Sequence, residues 1–184
     1  MKSWLWTAVA LPLAACSLIE EPEPDLTERP PVLFEIEYFN QAALPRWRGY
    51  YIDSAGELYS YDRSNERTGP TVDQSAFTHA ELMEKVDPGR TRVRAVSRTE
   101  LQALSLLIPA AARGEITTTN RQCADAGVLS FLAYIFDHNA LVFRKVVIRN
   151  EGDVARANQA NEARQIYQYL DGLRLVQHIS GCEP

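Results

Sequence analysis

From residue 32 onward the hydrophobic positions switch between a period of two and a period near 3.6, and the switches mark the predicted elements. Val32 to Phe39 interleaves Glu35 and Glu37 with β-branched and aromatic residues, which predicts a strand. Two aromatic runs, Trp47 to Ile52 and Glu57 to Tyr61, flank Asp53-Ser54-Ala55-Gly56. The Asp and Gly supply the special backbone angles of a hairpin turn. Residues 62–73 read as loop, punctuated by Gly69-Pro70. A helix is predicted from a cap at Asp73 or Ser75 to Val86, with Ala76, Phe77, Ala80, Met83 and Val86 inward and Pro88-Gly89 as its stop. Thr91 to Val96 alternates arginine with smaller residues, as a short edge strand does.

Ser97-Arg98-Thr99-Glu100 has the capping-box spacing and opens a helix with Leu101, Leu104, Leu107, Ile108 and Ala111 facing the core. Pro109 should kink or end it, and Gly114 is a natural stop. Gly127 to Phe136 is apolar on both alternations, the pattern of a strand covered on both faces or of a short buried helix. Asp137-His138-Asn139-Ala140 turns the chain and Leu141 to Arg149 returns as a partner strand. Asp153 is expected to cap a last helix, with Ala160, Ala163, Ile166, Tyr167 and Leu170 inward, and Leu173 to Ile179 to close as an extended segment. Hairpins imply antiparallel pairing. The expected class is α+β, a mostly antiparallel sheet built from hairpins with about three helices packed on it.

Composition narrows the partners. The chain has 184 residues, 46% hydrophobic and 23% charged, with a formal net charge of -5. One domain with a real core fits that balance. An acidic protein is poorly suited to general nucleic-acid binding, which needs an excess of Lys and Arg on one face, so no nucleic-acid partner is expected.

The N-terminus reads differently. Lys2 precedes an apolar run from Trp4 to Leu13 that is too short to cross a bilayer comfortably and has the flanks of a secretory signal. A buried N-terminal helix is the competing reading. The run closes on Leu13-Ala14-Ala15-Cys16, which resembles the lipobox of bacterial lipoproteins. The resemblance covers only this segment. It implies cleavage before Cys16, diacylglycerol on its sulfur and a third acyl chain on the new amino group. At about 0.8 kcal/mol per buried methylene, such chains make release from a membrane very slow. In Gram-negative relatives of that class the next residue sorts the protein, and Ser17 rather than Asp implies the outer membrane. Glu20 to Asp25 and Glu28-Arg29-Pro30-Pro31 then form an acidic, proline-rich tract. At roughly 3.1 Å per residue it would hold a domain some 30–40 Å from the lipid. The expected division is therefore a signal peptide over 1–15, a lipidated tether over 16–31 and a globular domain over 32–184.

With Cys16 acylated, Cys123 and Cys182 remain, and two thiols in an oxidising compartment read as one disulfide. A catalytic thiol with His138 or His178 as base is the alternative. His79, His138 and His178 are far apart and show no zinc-ligand spacing, so no metal or other cofactor is expected. Asp53 to Glu57 faintly suggests a calcium loop but lacks the alternating oxygen ligands, and the hairpin turn explains it fully. No Gly-x-Ser-x-Gly elbow, Ser-x-x-Lys pair or glycine-rich phosphate loop occurs. Glu35 and Glu37 project to one face of their strand, expected to be a solvated edge; in a cleft they could act as an acid/base pair.

Two surfaces stand out as candidates for partner binding. One is the aromatic group Trp47, Tyr50, Tyr51, Tyr59 and Tyr61, since Trp and Tyr give large contact area at low entropy cost. A buried hairpin face is the competing explanation. The other is Arg90, Arg92, Arg94 and Arg98, the first three expected to point the same way along a strand as a positive stripe for an anionic glycan or an acidic envelope protein. A charged edge that deters strand pairing is its competitor. The expected function is a noncatalytic binding or scaffolding domain of an envelope lipoprotein, anchored through Cys16 and facing the periplasm. The alternative is a small envelope hydrolase or transferase with a dispersed site using Glu35, Glu37 or His138.

Overall fold

The computed structural model describes residues 30–41, 45–64, 66, 74–119 and 125–178. The alternating segments pair into a single sheet, nine-stranded among these residues. Its strands are β1 (Phe34–Asn40), β2 (Arg46–Ile52), β3 (Glu57–Asp62), β4 (Ala76–Phe77), β5 (Thr91–Ala95), β6 (Ile116–Thr119), β7 (Val128–Asp137), β8 (Val142–Gly152) and β9 (Ala155–Asn158). They lie in the order β5-β3-β2-β1-β7-β8-β9-β6, with β4 on β8, and the pairings are antiparallel. The helices are α1 (His79–Val86), α2 (Arg98–Ser105), the single turn α3 (Ile108–Ala111) and α4 (Asn161–Gly172). The fold is α+β.

Both sheet faces are covered. Phe34, Ile36, Ile52, Leu58, Leu129, Phe131 and Ile148 pack under Leu101 and Leu104 of α2, Ile108 of α3, and Ala163, Ile166 and Leu170 of α4. On the other face Trp47, Tyr51, Tyr61, Phe77, Leu132, Tyr134 and Phe143 pack with Leu82 and Val86 of α1. Each fully buried large aliphatic or Phe side chain contributes about 1.5–3 kcal/mol, so both layers matter to stability.

Several boundaries differ from the sequence reading for local reasons. Helix α1 begins after Thr78, whose Oγ1 accepts from the Glu81 N–H at 3.2 Å while Glu81 Oε2 accepts from the Thr78 N–H at 2.7 Å. That capping box starts the helix later than Asp73 or Ser75. It frees Ala76 and Phe77 to pair with Arg144 and Phe143. The inner face of α1 is then Leu82, Lys85 and Val86. Pro109 sits in the first turn of α3, so the α2 helix ends before it. Asp153 does not cap a helix. Its carboxylate accepts from the N–H groups of Ala126 and Gly127, each at 3.0 Å, and the chain continues as β9 before α4 starts at Asn161. Residues Leu173 to His178 close over the α4 face without forming a strand. Ile179 lies outside the described residues.

Candidate functional site

Each face of the sheet holds one polar constellation. On the α1 face, strand alternation points Glu35 and Glu37 of β1 to the same side. The expectation of a solvated edge is overturned: β1 lies in the interior of the sheet, between β2 and β7, and Glu35 is 1% and Glu37 7% exposed. Helix α1 lays Lys85 over them. Glu35 Oε1 accepts from the Tyr61 hydroxyl at 2.6 Å, and Oε2 from Lys85 Nζ at 2.7 Å and the Tyr134 hydroxyl at 2.5 Å. Glu37 Oε1 accepts from Trp47 Nε1 at 2.7 Å and Oε2 from Lys85 Nζ at 3.2 Å. All four carboxylate oxygens therefore have donors.

Electrostatics follow from this geometry. Burial pushes the Glu37 carboxyl above its ordinary value, against the pull of Lys85. Burial opposes the Lys85 charge too, but Glu35 and Glu37 overcome it and hold the ammonium well above its usual range. Burial and Glu35 push the Tyr61 and Tyr134 phenols well up, which keeps both as donors. Tyr61 fits because β2 offers Gly49 beneath it: a Cβ there would lie 2.6 Å from the Tyr61 hydroxyl. The cluster clamps α1 onto the sheet. Lys85 falls on an otherwise apolar helix face beside Leu82 and Val86, and that was the sequence signal that could have exposed it.

On the α4 face a groove of about 650 Å³ opens between β1–β3 and residues 175–178. Its floor is a cross-strand lattice in which Tyr38 faces Arg48, Tyr50 faces Ser60, and Arg48 faces Asp62. The Arg48 guanidinium sits 5.7 Å from the centre of the Tyr38 ring. Gln177 and His178 form the opposite wall. His178 Nδ1 bonds Glu151 Oε2 at 2.9 Å and Nε2 bonds Asp171 Oδ1 at 2.6 Å. The imidazole also stacks on Phe131, 6.1 Å between centroids at 16°. Two carboxylate acceptors require both ring nitrogens to donate, which is the imidazolium form. The Glu151 bond foremost, then Asp171, raises the His178 pKa against partial burial. Arg149 Nε donates to Glu151 Oε1 at 2.9 Å, and the Tyr167 hydroxyl donates to the same oxygen at 3.3 Å. Burial and Glu151 push the Tyr167 phenol up to about 12. An imidazolium with both N–H groups engaged has no lone pair to act as a base. His178 is a latch for the C-terminal wall.

A second cavity, about 550 Å³, lies between the α3 end and β8, with a mainly aliphatic lining plus Arg144 and Lys145. Neither cavity is lined by Glu35, Glu37 or Lys85.

The aromatic candidates divide between the two faces. Trp47, Tyr51 and Tyr61 are buried against α1, at 5%, 2% and 2% exposure. Tyr59 is half-buried and stacks on Tyr51 at 5.1 Å, while Tyr50 points the other way, into the groove. The arginines do not form one stripe. Pairing shifts between Leu58 and Tyr59, so Leu58 faces Arg94 while Tyr59 faces Arg92, and Val93 is the extra residue. This bulge puts Arg92 and Arg94 on opposite faces. Arg90 pairs with Asp87 at 2.7 Å, Arg92 Nε with Glu57 at 2.5 Å, and Arg94 donates to the Leu173 carbonyl at 3.4 Å.

Asp53 Oδ1 accepts from the N–H groups of Ala55 and Glu57 at 2.9 and 2.8 Å, as a hairpin turn requires. His138 lies in the β7–β8 turn, edge-on to Phe136 at 5.0 Å, and His79 opens α1 against Phe143. Among the described residues no group of His, Cys, Asp and Glu is placed to hold a metal ion, and no helix is long and apolar enough to cross a membrane. Cys16, Cys123, Cys182 and residues 1–29 lie outside the described residues. No protein-family model, curated protein or solved structure matches the chain.

Proposed function

We propose that the protein is a lipid-anchored component of the bacterial cell envelope, held at the outer membrane through Cys16, whose α+β domain binds another envelope component in the groove beside Tyr50. The observation that carries this reading is the order of parts: the lipobox Leu13-Ala14-Ala15-Cys16, an acidic proline-rich tract, then a folded domain. A tether of that kind serves a domain that must reach a partner away from the lipid surface. The groove supports the binding role. It is of ligand size and combines tyrosine rings with a few convergent polar groups. The hydrolase or transferase reading has less support, because Glu35 and Glu37 are sealed under α1 and each of their oxygens already accepts a hydrogen bond.

Two experiments test the proposal. Cys16→Ser should leave an uncleaved, unacylated precursor, and normal lipid labelling of that variant would remove the anchor. A photo-crosslinking residue at Gln177, on the groove wall, should capture an envelope component in native membranes. Tyr50→Ala should abolish that capture. Capture that survives Tyr50→Ala would take the groove out of the proposal.

A further inference from the structure

We infer that the groove takes a neutral saccharide; the inference rests on reading the groove as the ligand site. Its charges cancel locally. Arg48 lies across the strand pair from Asp62, and the two carboxylates Glu151 and Asp171 are matched by the His178 imidazolium between them and by Arg149 on Glu151. A polyanion needs a surplus of unpaired cations, and among the described lining residues the one Arg or Lys is Arg48, which Asp62 faces.

What the floor offers is amphipathic. The face of Tyr50 suits the C–H face of a pyranose ring and its hydroxyl end suits the rim, whereas Tyr38 supports the floor: its ring carries the Arg48 guanidinium, and its hydroxyl donates to the Ala126 carbonyl at 3.1 Å and accepts from Asn40 Nδ2 at 3.2 Å. The Arg48 guanidinium and the Tyr50 hydroxyl line the groove as donors, and the exposed Asp62 carboxylate, whose Oδ1 accepts the Ser64 N–H at 2.9 Å, has further lone pairs to accept from sugar hydroxyls. An extended peptide fits less well. Strands β1, β2 and β3 each have neighbours on both sides, so the floor presents no open edge for strand addition. A lipid chain would press hydrocarbon against the polar ends of Arg48, Asp62 and Gln177 and strip them of water.

The test is calorimetric titration of the full acylated chain in detergent with two neutral probes, the N-acetylglucosamine tetramer and cellotetraose, and with a sulfated polysaccharide for comparison. Saturable binding of a neutral probe is expected. Its affinity should change less than about twofold between roughly 50 and 500 mM sodium chloride, since no ion pair is screened. Tyr50→Ala should weaken binding about tenfold or more and Tyr50→Phe should retain most of it, whereas Arg92→Ala, remote from the groove, should leave it unchanged. Tyr50→Phe also guards against loss through misfolding. No saturable heat with either neutral probe would overturn the inference. So would binding indifferent to Tyr50→Ala, or binding of the sulfated chain alone with steep salt dependence. If the sugars fail while Gln177 still captures a protein in a Tyr50-dependent way, the saccharide falls and the groove stands. If both fail, the groove falls as well.

Discussion

Lys85 Nζ lies 2.7 Å from Glu35 Oε2, joining the inner face of α1 to an interior strand 50 residues earlier in the chain. The pair is buried, and Glu37 shares the same ammonium at 3.2 Å. Removing one partner of a buried ion pair strands the other charge. Lys85→Met should therefore destabilise the domain by about 3–5 kcal/mol. Combining it with Glu35→Gln and Glu37→Gln should restore a large part of the loss. Urea unfolding midpoints check both; an additive triple variant would show that the charges are not coupled.

Glu37 has its carboxyl raised by burial. A raised folded-state value means that the fold favours the protonated form. The contribution is complete below the ordinary carboxylate pKa and is lost as pH rises through the folded value. Glu37→Gln should flatten the melting temperature across that range. An unchanged profile would assign the slope to another group.

His178 is also raised, chiefly by its bond to Glu151. Its contribution is complete below the ordinary imidazole pKa and fades as pH rises through the folded value. Proton exchange at residues 173–178 should accelerate over that range, and in His178→Ala it should be fast throughout. With the side chain 37% exposed, solvent screening keeps the stability effect to about 1 kcal/mol. Amide exchange read by mass spectrometry decides it. The charged groups on the ring are Glu151 and Asp171, with Arg149 and Tyr167 bonded to Glu151 behind it, so Glu151→Gln should reduce the pH dependence most.

Gly49 is required by what sits above it. A Cβ there would lie 2.5 Å from the Ile36 carbonyl and 2.6 Å from the Tyr61 hydroxyl. The first of these is backbone and cannot swing aside. Gly49→Ala should cost about 1–3 kcal/mol by overpacking. Adding Tyr61→Phe should recover only part of that cost. Thermal melts measure it, and a neutral Gly49→Ala would mean that the strands separate easily at this point.

The bridge proposed between Cys123 and Cys182 rests on the sequence, since both cysteines lie outside the described residues. Mass spectrometry of the unreduced chain should find both thiols oxidised. Their reduction should lower stability by roughly 4 kcal/mol on the loop-closure account. Two free thiols in protein taken from the envelope would end the proposal.

Local pattern was enough for the hairpin around Asp53–Gly56, the long β7–β8 hairpin, the cap at Ser97 and the overall α+β class, because each depends on residues adjacent in the chain. The proposed anchor also rests on the sequence by itself, since the resemblance of Leu13-Ala14-Ala15-Cys16 to a lipobox and the acidic proline-rich tract after it lie in order and composition rather than packing. The start of α1 was legible in Thr78 and Glu81, but the apolar pair Ala76 and Phe77 masked it by continuing the helical spacing. Tertiary structure alone decided the two polar sites. Glu35 meets Lys85 and Tyr134, and Glu151 meets His178, only once distant strands and helices stack. Whether a strand is at the edge or inside the sheet also sets whether its glutamates are solvated or buried, and strand order is a long-range property. The arginine stripe was lost to a single unpaired residue, Val93. A bulge arises from the partner strand's register and leaves no local mark in sequence.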